Sequence, residues 1–259
     1  MYNGQQEIYS GGSGSISQFQ NGSQNIGAGG YGAVLGTLGG TQYIAAGGTG
    51  YVESYTDKQI ISSGGTGIIE TLAAEWSLTD GQTGVANTVS GGTQTIGTGA
   101  VGTVSALLEG EQVVEDGGTA LATTVKGGVQ TVSSGGTANA TVVSAGGLQY
   151  IENGAVISAT ELETDGVLRL AQDGSNDFAF TSLTVNGGII DMTDGAITTY
   201  GRSVPSSGLP TYQNLTLDDL QGTGGKLLMD TDLAGGQGDK LIVESSNNGT
   251  GTYMFMLRI

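Results

Sequence analysis

Cysteine and histidine are both absent from the 259 residues. Without cysteine there is no disulfide framework and no thiolate metal site, so cysteine usage does not fix a redox compartment. Without histidine the commonest general base and the commonest transition-metal ligand are missing. Basic residues are scarce as well. Seven Lys and Arg stand against 24 Asp and Glu, a formal charge of −17, which repels polyphosphate and anionic membrane surfaces and makes nucleic acid a poor partner. Only two prolines accompany 50 glycines, whereas collagen needs abundant proline and a three-residue period. No apolar run reaches the roughly 18 residues that suggest a transmembrane helix. Met1 and Tyr2 run directly into patterned sequence with no signal peptide between, so we expect a piece of a longer chain with Met1 as an added start.

What is present is a phrase repeated nine times. Taking glutamine as the phase marker gives Gln6, Gln24, Gln42 and Gln59, then Trp76 in the same place, then Gln94, Gln112, Gln130 and Gln149. Two residues after each marker stands an apolar side chain, Ile8, Ile26, Ile44, Ile61, Leu78, Ile96, Val114, Val132 or Ile151. A glycine pair or a degenerate form of it follows, as at Gly47-Gly48 and Gly135-Gly136. A fixed period near 18 with β-type residues is the signature of a solenoid, whose units bury apolar side chains only by stacking on their neighbours.

Alternation along a strand places each marker and the residue two later on one face. Beyond the glycine pair the same parity falls on Gly14, Gly32, Gly50, Gly67, Gly84, Gly102, Ala120 and Ala138. Next in phase come Ile16, Val34, Val52, Ile69, Ala86, Val104, Ala122 and Ala140, all expected to point inward. A third apolar column runs through Phe19, Tyr55, Leu72, Val89, Leu107, Val125, Val143 and Leu162, with Thr37 its exception. The predicted fold is therefore all-β, a right-handed parallel β-helix with about 18 residues per coil, the handedness being that of parallel crossovers in general. Residues 1–162 form nine coils, and residues 163–259 form less regular coils and a stabilising C-terminal cap. Glycine pairs belong at corners, where a positive φ costs glycine little. Stacked amides of the glutamine column satisfy one another from coil to coil, a structural role that we prefer to substrate binding. Trp76 reads as a larger plug in the same column.

Enzymes of polysaccharide cleavage also use parallel β-helices, and they need facing carboxylates roughly 5 to 9.5 Å apart. Glu53 and Glu70 share an outward column beside Asn87, and Asp191, Asp194, Asp218 and Asp219 form a second group. No basic residue or long inserted loop accompanies Glu53 and Glu70, and both groups read as solvated faces. A calcium-bound β-roll needs an aspartate in each Gly-Gly-x-Gly-x-Asp phrase, where this chain has Ser15-Ile16, Tyr51-Val52 and Asn139-Ala140. No metal or other cofactor is expected.

The Gly-Gly-x-Gln-x-Val-x-Ser-Gly-Gly-Thr-Ala phrase, clearest from Gly127 to Ala138, resembles the repeats of AIDA-type, TibA-like self-associating autotransporter adhesins. The tail segments Gly224 to Leu233, Gly238 to Val243 and Gly249 to Tyr253 resemble the C-terminal part of pertactin-like passengers. The resemblance implies a passenger at the outer-membrane surface of a Gram-negative bacterium, attached through a membrane β-barrel that lies beyond this chain. It implies self-association between cells, biofilm formation and adhesion to a host-cell receptor, with no catalysis. It also implies O-heptosylation by a dedicated heptosyltransferase at corner serines, and Ser10, Ser62, Ser63, Ser133 and Ser134 match. The alternative function is a surface β-helix that binds or cleaves glycan. For self-association the sequence offers an N-terminal stretch, Met1 to Val52, whose only charged residue is Glu7 and whose outward positions include Ser15, Asn25, Tyr43 and Tyr51.

Overall fold

The computed structural model describes residues 4–17, 19–38, 40–54, 58–171, 177–193, 212–245 and 254–258, and these contain strands, turns and bends but no helix. Stacked parallel strands recurring about 18 residues apart make the protein a β-solenoid. Two compact units divide the chain, Met1–Thr124 and Val125–Ile259.

In the N-terminal unit, Gln5–Ile8, Ser23–Ile26, Thr41–Ile44 and Lys58–Ile61 pair in parallel, with Gln6, Gln24, Gln42 and Gln59 in register. After a break the stack resumes with Trp76, Gln94 and Gln112 in register. A second stack aligns Gly14, Gly32, Gly50, Gly67, Gly84, Gly102 and Ala120. Ile26, Ile44, Val52, Ile69, Leu72, Leu78, Ile96, Val104 and Leu107 are all at most 2% exposed. Burying each such side chain contributes about 1.5–3 kcal/mol, and the stacking shares that burial between neighbouring coils.

Two glycine positions explain the cross-section. At Gly50 an added Cβ would lie 2.2 Å from Gln42 Oε1 and 2.4 Å from Ile44 Cδ1, so a side chain there would have to displace the Gln42 amide and the tip of Ile44. At the corner, Gly47 has a φ of 73°, and its N–H donates to Gly64 O at 2.8 Å while its carbonyl accepts from Gly29 N at 2.9 Å. Left-handed backbone turns the chain there and keeps the coil-to-coil ladder running through the turn.

The C-terminal unit keeps parallel pairing between coils while coil length changes, with one antiparallel pair where Thr231 and Asp232 meet Gly238 and Gln237. Leu148, Val167, Ile189, Lys226 and Met254 are in successive register, as are Asn214 and Lys240 in a second stack. Val167–Leu170, Asn214–Thr223 and Lys226–Asp232 are strands of this unit. Aligned residues are 19 apart at Gln130 and Gln149 but 22 apart at Arg169 and Asp191 and 37 apart at Asp177 and Asn214. Asp194, residues 201–211 and the side chains of Phe19, Thr37 and Tyr55 lie outside the described residues.

Two inward assignments are corrected. Ala122 and Ala140 are exposed and carry φ values of 48° and 53°. Each forms an extra left-handed corner, so that the next residue points inward instead. Thr123 and Thr141 are both 1% exposed.

Candidate interaction surfaces

The glutamine column is a chain of amide-to-amide hydrogen bonds inside the solenoid. Gln24 Nε2 donates to Gln6 Oε1 at 2.6 Å, Gln42 Nε2 to Gln24 Oε1 at 2.6 Å, and Gln59 Nε2 to Gln42 Oε1 at 2.7 Å. Gln112 donates to Gln94 at 2.9 Å and Gln149 to Gln130 at 2.8 Å. Every donor points to the preceding coil. Gln42 and Gln59 also donate to Gly32 O and Gly50 O across the coil, at 3.3 and 3.1 Å. With Gln24, Gln42, Gln94, Gln112, Gln130 and Gln149 at most 1% exposed, this column presents nothing to a ligand. Three of its oxygens also accept from a threonine column that the sequence reading missed. Thr123, Thr141 and Thr160 donate to Gln112, Gln130 and Gln149 at 2.8, 3.1 and 3.0 Å. The signal was available in the recurrence of threonine at those three positions.

Trp76 is 2% exposed and fills the column as a plug. Indole cannot relay an amide chain, and the atoms facing the interruption are left over: Gln59 Oε1 and Gln94 Nε2 are buried without a hydrogen-bond partner. Unmet buried polar atoms cost about 1–3 kcal/mol each, which the large buried area of the indole offsets.

Outside, the corners carry Ser10, Ser62, Ser63 and Ser134 exposed and Ser133 half-buried. Ser63 and Ser134 lie over the following corner, since a Cβ on Gly81 would be 2.8 Å from Ser63 Oγ and one on Gly154 would be 2.7 Å from Ser134 Oγ. The four outward residues named for self-association lie on two sheet faces. Asn25 and Tyr43 are in register with Glu7 and Ile60 on the first stack, where Asn25 Nδ2 donates to Glu7 Oε1. Ser15 and Tyr51 are in register with Ala33 on the second stack. Tyr9, Tyr31, Leu35, Tyr43 and Ile60 are exposed apolar side chains of this region.

The second stack also places Glu53 beside Glu70 and Glu70 beside Asn87, because Val52, Ile69 and Ala86 are aligned. Asn87 Nδ2 donates to Glu70 Oε2, and Tyr51 Oη reaches the same oxygen at 3.5 Å. Partial burial, and then the charges of Glu70 and Glu53, push the Tyr51 hydroxyl above its ordinary value of 10.0.

The C-terminal carboxylates serve the interior. Asp191 Oδ2 pairs with Arg169 Nη1 at 3.1 Å, and Asp191 Oδ1 accepts from the Thr193 N–H and hydroxyl at 3.0 and 2.6 Å. Asp239 Oδ1 accepts from Gln213 N at 2.8 Å and Asp239 Oδ2 from Asp230 N at 2.7 Å. Asp218 is exposed, and Asp219 accepts from Gln221 Nε2. The Asp191, Asp218 and Asp219 group of the sequence reading is thus split between an ion pair and a surface strand. Among the described residues no group of three or more acidic side chains could hold a metal ion.

No family model matches this chain, and no curated protein matches it. Among solved structures it is similar to the crystal structure of a TibC-catalysed, hyper-glycosylated TibA fragment, with 20% identity and a TM-score of 0.46. The alignment covers 98% of this chain and 92% of that one. At this identity no residue role passes from one chain to the other.

Proposed function

We propose that this β-solenoid is a self-associating adhesin passenger, displayed at the outer surface of a Gram-negative cell and held there by a membrane barrel. The supporting observation is the outer surface of the first coils, where Tyr9, Tyr31, Leu35 and Tyr43 are exposed and Glu7, the one charged residue of Met1 to Val52, already accepts from Asn25. Little in that surface repels a second copy. Contact forms through amide, hydroxyl and aromatic groups of Ser15, Asn25, Tyr43 and Tyr51, each hydrogen bond contributing about 0.5–1.5 kcal/mol. Many copies on facing cells multiply weak bonds into stable clumps. A host-cell surface receptor is the second partner of the same surface.

Added salt screens repulsion between molecules of charge −17 and strengthens association up to moderate ionic strength. Sedimentation of displaying cells over a salt series measures this, with Tyr43→Asp and Tyr51→Asp as the disrupting variants. Normal clumping by both variants, or dispersal at about physiological ionic strength, rejects this surface. Exposed Ser10, Ser62, Ser63 and Ser134 suit O-heptosylation, with Ser133 the least accessible. Intact mass after co-expression with a heptosyltransferase reads the number of sugars added, and an unchanged mass removes this part of the proposal.

A further inference from the structure

One outer patch of the N-terminal unit has aromatic and acidic groups that neither the ladder nor the corners require. Tyr31 aligns with Thr49 and Ala33 with Tyr51, so the two tyrosines are diagonal neighbours on adjacent coils. That distance, about 7–8 Å, is within reach of aromatic side chains. Ala33 between them is only 7% exposed while Tyr31 is 44% exposed, which leaves a shallow apolar floor beside a standing ring. The Tyr51 hydroxyl reaches Glu70 Oε2, which also accepts from Asn87 Nδ2. Glu53, exposed, stands beside Glu70 on the preceding coil. Among the described residues no lysine or arginine forms an ion pair with either carboxylate.

Two tyrosine rings next to two uncompensated carboxylates suit a molecule with flat apolar faces and a positive charge. We infer that Tyr31, Tyr51, Glu53 and Glu70 form a binding platform for a polymer of deacetylated hexosamine. The pyranose faces pack on the tyrosine rings, and the protonated amines pair with Glu53 and Glu70. A cation beside an aromatic face gains a further electrostatic attraction from the ring. Acidic glycans are disfavoured by the charge of −17, and neutral ones leave both carboxylates without a counter-ion. The coil step of about 4.8 Å sets Glu53 and Glu70 one coil apart, on the scale of one residue of an extended sugar chain. This site goes beyond self-association: it shares Tyr51 with the proposed clumping surface but otherwise lies on a different sheet face from Tyr43.

The probe is a glucosamine hexasaccharide titrated into the whole chain at low salt, against its fully N-acetylated counterpart and a hexalysine peptide. The deacetylated sugar is expected to bind, and Glu70→Gln is expected to weaken it by about tenfold. Glu70→Gln keeps an oxygen for Asn87, and unchanged circular dichroism verifies its fold. Tyr31→Ala, at a half-exposed position, tests the ring contact without touching the core. Tyr43→Asp leaves this binding intact while weakening clumping, which separates the two readings. The inference is overturned if neither sugar binds, if both sugars bind equally, if hexalysine binds as well as the sugar, or if Glu70→Gln and Tyr31→Ala both bind as the parent does.

Discussion

The regular coils of the N-terminal unit and the long coils of the C-terminal unit bury polar groups by opposite means. In the first, Gln24, Gln42 and Gln59 are each satisfied by a translated copy of themselves one coil away. In the second, Arg169 meets Asp191, and Asp239 meets the backbone of Gln213 and Asp230. Copies satisfy one another wherever the period holds, so such a ladder can be lengthened without new partners. Unlike pairs fix one register, which is needed where aligned residues lie 22 or 37 apart and the period no longer specifies what stacks on what. The regular coils should therefore lose stability in small steps when a ladder member is removed, and the irregular coils in large ones when a partner is removed.

The largest effect should nevertheless come from charge placed in the repeating core. Ile44 is 1% exposed and is aligned between Ile26 and Ile61. Ile44→Asp buries an unpaired carboxylate and should cost more than about 4–5 kcal/mol. Because coils share burial, several should lose strand structure together, read as a lower melting temperature and a reduced β signal in circular dichroism. Unchanged melting would place that column outside the core.

Next in size is the specific pair. Asp191→Ala removes the carboxylate that the buried Arg169 guanidinium pairs with, and removing one partner of a buried pair costs about 3–5 kcal/mol. Replacing both, as Arg169→Met with Asp191→Leu, removes the buried charge and should recover much of the loss. A double variant as unstable as Asp191→Ala would show that the pair contributes more than charge balance. Denaturant melts of the three proteins give the comparison.

How much of this was legible in the sequence follows from the same contrast. The glutamine ladder, the apolar columns and the glycine corners repeat, and nine repetitions reveal which positions share a face. Trp76 was legible as a plug because it occupies a marker position, but the orphaned Gln59 Oε1 and Gln94 Nε2 follow from the direction of the amide chain, which sequence does not encode. Ala122 and Ala140 were misassigned because alanine carries no mark of the left-handed backbone that it adopts here. The recurrence of Thr123, Thr141 and Thr160 was the clue to that shifted parity. Arg169 with Asp191 could not be paired beforehand, since their alignment depends on a coil length that no other coil repeats.

A smaller effect separates two members of the ladder. Gln42→Leu leaves Gln24 Oε1 without its donor and Gln59 Nε2 without its side-chain acceptor. Gln59→Leu strands only Gln42 Oε1 and removes the orphan at Gln59 Oε1 that Trp76 already imposes. Gln42→Leu should therefore be the more destabilising by about 1–3 kcal/mol, the cost of one buried unmet group. Equal losses in chemical denaturation would mean that the ladder is not interrupted at Trp76.

The smallest effect is the titration of Tyr51. Its hydroxyl is raised above 10.0, first by burial and then by the negative charges of Glu70 and Glu53. The folded chain thus holds this proton more tightly than the unfolded chain does. Its contribution to stability is complete below pH 10 and is lost as pH climbs through the raised value, because the unfolded hydroxyl ionises first. A difference spectrum between the parent and Tyr51→Phe isolates this one group among ten tyrosines, and its ionisation should fall later than that of the average tyrosine. Glu70→Gln removes one charge and one hydrogen-bond acceptor but little of the burial, so it should move the titration only part of the way back. A return to the ordinary tyrosine range would make Glu70 rather than burial the main cause, and no movement at all would place Tyr51 away from the carboxylates of the second stack.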